Sequence, residues 1–129
     1  MPDSEETRAW LDKGRSDLKS ARVLLNNAPP ITDTATFHCQ QAAEKHLKAF
    51  LVAHGVPFDR VHNLVYLLDA CVEVDARLSC LAGQAALLTP YAVMSRYPGS
   101  MPEPVPEHAE AAYAAALQVV EAVNRRLET

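Results

Sequence analysis

Apolar residues recur every three or four positions through most of the chain. Trp10, Leu11, Gly14, Leu18, Ala21, Leu24 and Leu25 step along one side of a first segment, with Arg8, Asp12, Arg15, Lys19 and Arg22 on the other. That spacing is the 3.6-residue period of a helix with one buried face. Ser4 precedes the segment as a candidate N-cap, and Glu5 and Glu6 fill the first turn, where the helix dipole favours anions. A helix is expected from this point to "NNAPP". Asp33 or Thr34 is positioned to cap a second helix, stopped by "HGVP" at residues 54–57. A third begins near "RVHNL", with Leu64, Leu67, Leu68, Cys71 and Val72 on one side. A fourth follows Asp75, with Leu78, Leu81, Ala85 and Leu88 at helical steps until Pro90 bends or ends it.

Four prolines between Pro98 and Pro106 make "RYPGSMPEPVPE" an irregular connection. The final segment places Ala109, Ala112, Tyr113, Ala116, Leu117, Val120 and Val123 inward, with Arg125 and Arg126 in its last turn. The small residues at 109, 112 and 116 let a neighbouring helix approach closely. No strand pattern and no internal repeat is visible. The expectation is one all-α domain over residues 1–129, an up-and-down bundle of four to five helices.

Composition agrees with that reading. The 129 residues are 49% hydrophobic and 22% charged, with only 6% aromatic, which suits one soluble helical domain. Net charge is −4, so attraction to a polyanion must come from a local basic patch. Cys39, Cys71 and Cys80 are odd in number and lack CxxC spacing, which points to buried free thiols in a reducing compartment. The acidic start "MPDSEETRAW" has no apolar signal region, and no stretch reaches the length of a membrane span. A cytoplasmic protein is expected.

The second helical segment departs from the pattern. Within "FHCQQAAEKHLKAFL", Gln41, Glu44, Lys45 and Lys48 occupy about one third of a helical wheel. Ala42, Ala43, Leu47, Ala49 and Phe50 take the other side, while Phe37, Leu51 and Val52 close the polar arc at its ends. The result is a polar island bordered by apolar residues. Taken alone, spacing favours a solvated face, since Glu44 and Lys48 form an ordinary i,i+4 pair worth about 0.2–0.5 kcal/mol. Trp10 lies in the apolar stripe of the first helix and is expected to anchor the core.

Three motifs change that balance: the QAAEKxLKA core from Gln41 to Ala49, the HxLxxL pattern of His62, Leu64 and Leu67, and the Arg96-Tyr97-Pro98 run. Together with "SDLKSARVLL" and the Ala-rich final helix, they resemble the HEPN domain family over nearly the whole chain. The resemblance implies an all-helical bundle that often dimerises. Many members are encoded beside a small nucleotidyltransferase in toxin–antitoxin pairs, and nucleotide or RNA binding is their proposed chemistry. Carried over to this chain, it makes Gln41, Glu44, Lys45, Lys48, His62, Arg96 and Tyr97 the candidate nucleotide- or RNA-binding residues, with a nucleotidyltransferase-type protein as expected partner and a homodimer as expected assembly. Lysine and arginine suit phosphate, tyrosine suits base stacking, glutamine suits a base edge, and histidine can donate or transfer a proton. His62 also has a plain structural reading, as a cap of the third helix. The functional reading requires these side chains to converge.

The ribonucleases of that family use an Arg and a His four to six residues apart. Here eleven residues separate Arg96 from His108 and one separates Arg60 from His62. No glycine-rich phosphate loop is present either. The chain is therefore expected to be non-catalytic by itself, without a cofactor. The alternatives are a metal-independent ribonuclease using His62 and Arg96, and a helical adaptor that binds no nucleotide. His38, His46, His54 and His62 recur every eight residues, but eight helical steps turn the position by about 80°, so a metal site is not expected.

Overall fold

The computed structural model describes residues 4–94 and 102–128. α1 (Glu5–Asn26) starts at Ser4, whose hydroxyl accepts the Thr7 backbone N–H at 3.1 Å. A short connection leads to α2 (Thr32–Ala53). Here the expected cap shifts: Ile31 holds the N-cap position without a side-chain bond, and Asp33 lies two residues inside it, accepting the Thr34 N–H. α2 ends in a Schellman-type cap. Gly55 takes φ +69°, and the N–H groups of Gly55 and Val56 return to the carbonyls of Val52 and Leu51.

α3 (Leu64–Val74) is capped by Asn63, which accepts from the N–H groups of Val65 and Tyr66. The cap is therefore Asn63 and not His62. The expected fourth helix divides into a 3₁₀ turn (Ala76–Leu81), capped by Asp75, and α4 (Ala82–Leu88), which ends before Pro90. A single turn, α5 (Tyr91–Met94), follows. α6 (Pro106–Leu127) opens with proline at its first position, where the missing N–H is harmless. No strand occurs among the described residues.

α1 and α2 form an antiparallel hairpin. Trp10 lies opposite Lys48, Gly14 opposite Ala42 and His46, and Asp17 opposite His38 and Lys45. α6 runs antiparallel to α1, tied to it by the two-pronged Arg22–Glu110 bridge at 3.1 and 2.7 Å, with the guanidinium over the Tyr113 ring. α2 packs against α1, α3, α4, α5 and α6, which makes it the central rod of the bundle. Its Leu47, Phe50 and Leu51 meet Leu64, Leu67, Leu78, Leu88, Val119 and Val123 in the main core. Ala109, Ala112 and Ala116 are all buried, so the small residues of α6 serve internal packing.

A helix covered on most sides cannot keep a solvated stripe. That is why polar residues of α2 are buried here, among them Gln40, Glu44, His46 and Lys48. Two of the cysteines match their expected burial, and burial pushes the Cys39 and Cys71 thiols up to about 12. Cys80 is the exception and is exposed, because it falls on the outer side of the 3₁₀ turn. None of the described helices is long and apolar enough to cross a membrane.

Candidate functional site

The polar island of α2 resolves into two clusters. The first is built on Glu44, which is only 3% exposed. Lys48, one turn further along α2 and 7% exposed, donates to Glu44 Oε2 at 2.8 Å. Gln40, one turn earlier and fully buried, donates to Glu44 Oε1 at 3.0 Å. His62, in the segment before α3, places Nδ1 at 3.1 and 3.2 Å from the two carboxylate oxygens. A carboxylate has only acceptors, so Nδ1 carries the proton, and Nε2 of the neutral ring is an acceptor. Gln40 Nε2 also donates to the His62 backbone carbonyl at 3.0 Å, and Gln41 donates to Gln40 Oε1 at 2.7 Å. The side chain and the main chain of His62 are thus both fastened to α2.

Aromatic rings cover the lysine. Its Nζ lies 5.4 Å from the Trp10 ring centroid and 5.7 Å from that of Phe58, and the two rings meet edge to face. Trp10 is therefore a half-buried wall beside Lys48, where a core anchor was expected. Burial pushes the Glu44 carboxyl upward, but the donors of Lys48, Gln40 and His62 and the lysine's charge outweigh it, and the net direction is down. Glu44 stays ionised, and Lys48 cancels its charge.

What reaches the surface is the imidazole. The His62 side chain is 53% exposed while its buried partners hold it in one orientation. Arg60, two residues earlier, is also exposed. A fixed ring with one nitrogen free can accept a proton, donate one when protonated, or bind a phosphate oxygen.

The second cluster is centred on Asp17 of α1. Lys45 Nζ donates to Asp17 Oδ2 at 2.6 Å, and His38 Nδ1 donates to Oδ1 at 2.8 Å. Between the clusters, the buried His46 ring donates from Nδ1 to the Ala42 carbonyl at 2.8 Å and lies directly against Gly14. Burial lowers the His46 pKa.

Of the residues expected to converge, Glu44, Lys48 and His62 do so, and Gln41 joins them through Gln40. Lys45 does not: its ammonium turns to α1 and pairs with Asp17. Arg96 and Tyr97 lie outside the described residues. The sequence reading missed Gln40, Asp17 and His38. Asp17 carried a signal, since it stands three residues after Gly14 and four before Ala21, inside the apolar stripe. Gln40 likewise stands three before Ala43 and seven before Leu47, on the side read as apolar. A polar residue in a buried row needs a partner, and these have one. No group of three or more His, Cys, Asp or Glu suited to a metal ion occurs among the described residues.

Residues 7–126 match the HEPN domain family, so the chain belongs to it. Among solved structures, the chain is similar to TT1696 from Thermus thermophilus, with 27% identity over 95% of this chain and 98% of that one and a TM-score of 0.83. It also shares its fold with ST0689, described as an archaeal HEPN homologue, at 23% identity and a TM-score of 0.75, covering 97% of this chain and 100% of that one. Among curated proteins none matches.

Proposed function

We propose that this HEPN domain binds a phosphate-bearing nucleotide or RNA at the surface presented by His62, and that it serves as the non-catalytic partner of a nucleotidyltransferase-type protein in a toxin–antitoxin-like pair. One observation carries the ligand reading: the His62 imidazole is exposed, yet the Glu44 carboxylate holds the ring from behind and the Gln40 amide holds the backbone carbonyl of the same residue. A ring needed only for packing has no reason to be immobilised at the surface. Glu44, Gln40 and Lys48 act as positioning residues, and His62, with Arg96 and Tyr97 retained on the strength of the family motif, makes the contact. The partner and a homodimeric assembly belong to the proposal on the same family grounds.

Trp10 provides the readout, because it is the chain's single tryptophan and flanks Lys48. Titration of ATP and of a short RNA is expected to change its fluorescence with a salt-dependent affinity. His62→Ala and Arg96→Ala should weaken binding by about tenfold each, while Lys45→Ala leaves it unchanged. Identical titrations for wild type and both variants would remove the phosphate-binding reading and leave a helical adaptor.

A second reading has an observation in its favour. A carboxylate-oriented imidazole is the form a general base takes. His62 Nε2 would remove the proton from a ribose 2′-hydroxyl, whose oxygen attacks the adjacent phosphorus to form a 2′,3′-cyclic phosphate, while the departing 5′-oxygen takes a proton from water and leaves as a hydroxyl. Metal-independent RNA cleavage that disappears in His62→Ala and persists in Lys45→Ala would establish it.

A further inference from the structure

Along one edge of the α1–α2 hairpin runs an open groove of about 440 Å³. α1 lines it with Ser16, Lys19 and Ser20 and with the apolar Val23 and Leu24, and α2 contributes Thr34 and His38. We propose that this groove binds a small phosphomonoester. Its phosphate is held by His38, Lys19 and the hydroxyls, and its apolar or aromatic body lies on Val23 and Leu24. The site is separate from the surface of His62, and neither His62 nor Glu44 lines it.

The polar lining consists of three hydroxyls, one ammonium and one imidazole, and no carboxylate lines it among the described residues. Locally the groove is therefore the reverse of the chain, whose net charge is −4. Two acids adjacent to lining residues are already engaged. Asp33 accepts the Thr34 N–H at 2.7 Å and the Thr34 hydroxyl at 3.4 Å. Asp17, 8% exposed, spends one oxygen on Lys45 and the other on His38 Nδ1. This second bond fixes the His38 ring by its Nδ1 and leaves Nε2 as the nitrogen available to a ligand. Nε2 has no partner among the described residues.

A phosphomonoester fits this set better than a carboxylate, because it offers three acceptor oxygens and nearly two negative charges. The floor argues for more than a bare ion. Val23 is 62% exposed, one turn beyond Lys19, so a body attached to the phosphate would cover an apolar side chain now facing water.

Phenyl phosphate is the probe, followed through backbone amide and imidazole NMR signals of the full chain, with inorganic phosphate and benzoate as comparators. Saturable shifts are expected at Ser16, Lys19, Ser20, Val23, Thr34 and His38, with tighter binding than either comparator. Lys19→Gln should weaken it by about tenfold, the loss of one charge-assisted hydrogen bond, and His38→Gln should weaken it as well. His62→Ala should leave these shifts intact, so the two sites stand or fall separately. Lys19 is exposed, so its replacement is expected to keep the fold, and that variant decides the matter even if the His38 variant disturbs Asp17. Linear unsaturated shifts, shifts centred on His62, or indifference to Lys19→Gln would overturn the proposal. Equal binding of benzoate would overturn the phosphate assignment.

Discussion

Twice beside the central helix a lysine and a histidine share one carboxylate. At Glu44 the three groups are Lys48, His62 and the acid, with Gln40 as a fourth member. At Asp17 they are Lys45, His38 and the acid. The chemistry is the same and the settings differ. Glu44 and Lys48 are both withdrawn from water, and only the histidine reaches it. Around Asp17 the acid alone is withdrawn, and the cation and the ring both keep partial access to solvent. The first cluster also fastens a loop to α2, whereas the second joins two helices already held by packing. A buried ion pair depends on every partner being present, while a half-open one has water as a substitute.

The largest test of this contrast removes the two acids. Glu44→Ala leaves a buried ammonium without its counter-charge and should cost about 3–5 kcal/mol in urea unfolding. Asp17→Ala frees side chains that can turn to water and should cost about 1 kcal/mol. Equal losses would erase the distinction. Pairing Glu44→Leu with Lys48→Met should recover much of the first loss, because no charge is then stranded.

Next in size is the strip between the clusters. A Cβ on Gly14 would collide with His46 Nδ1 and stand 3.2 Å from the Ala42 carbonyl. Gly14→Ala should therefore destabilise by about 2 kcal/mol despite its better helix propensity, and less when His46 is also made Ala. A stabilising Gly14→Ala would show that the hairpin can spread at no cost.

Acid should act on the same strip before it reaches Glu44. Burial holds the pKa of folded His46 below the ordinary 6.5, so the unfolded chain takes up this proton first. Stability contributed by neutral His46 is present above 6.5 and is lost as pH falls through and below that value. Glu44 is depressed from 4.5, so its contribution is present above that value and is lost at lower pH. Urea midpoints between about pH 7 and pH 5 should fall in wild type and fall less in His46→Leu.

The smallest expected effect on stability is at the exposed rings. His62→Ala should cost under about 1 kcal/mol while weakening ligand binding at its surface by about tenfold. A large stability loss with binding retained would make the ring a structural tie.

The helices were readable from the sequence because each carries its own signal. Ser4, Gly55, Pro90 and Pro106 mark ends, and the leucines between them keep helical period. What spacing did not reveal was which helix would lie at the centre. Polar residues on a peripheral helix face water, and the same residues on α2 must find partners inside. Glu44, Lys48 and His62 were therefore legible as candidates, yet the burial of Glu44 and Lys48 was not. Lys45 shared their arc on the wheel but had α1 across from it, and Asp17, counted on neither face, drew it away. The two sides of that arc depend on the orientation of the neighbouring helix, which no local pattern encodes.

Gln40 adds a consequence for how this chain can vary. Both hydrogens of its amide nitrogen and its oxygen are committed, to Glu44, to the His62 carbonyl and to Gln41. Turning the amide over would set oxygen against oxygen at two contacts. Its neighbours thus dictate its handedness, and it dictates theirs. Descendants of this sequence should exchange positions 40, 44 and 48 as a set, passing through few viable single steps, whereas Asp17, Lys45 and His38 are free to drift one at a time.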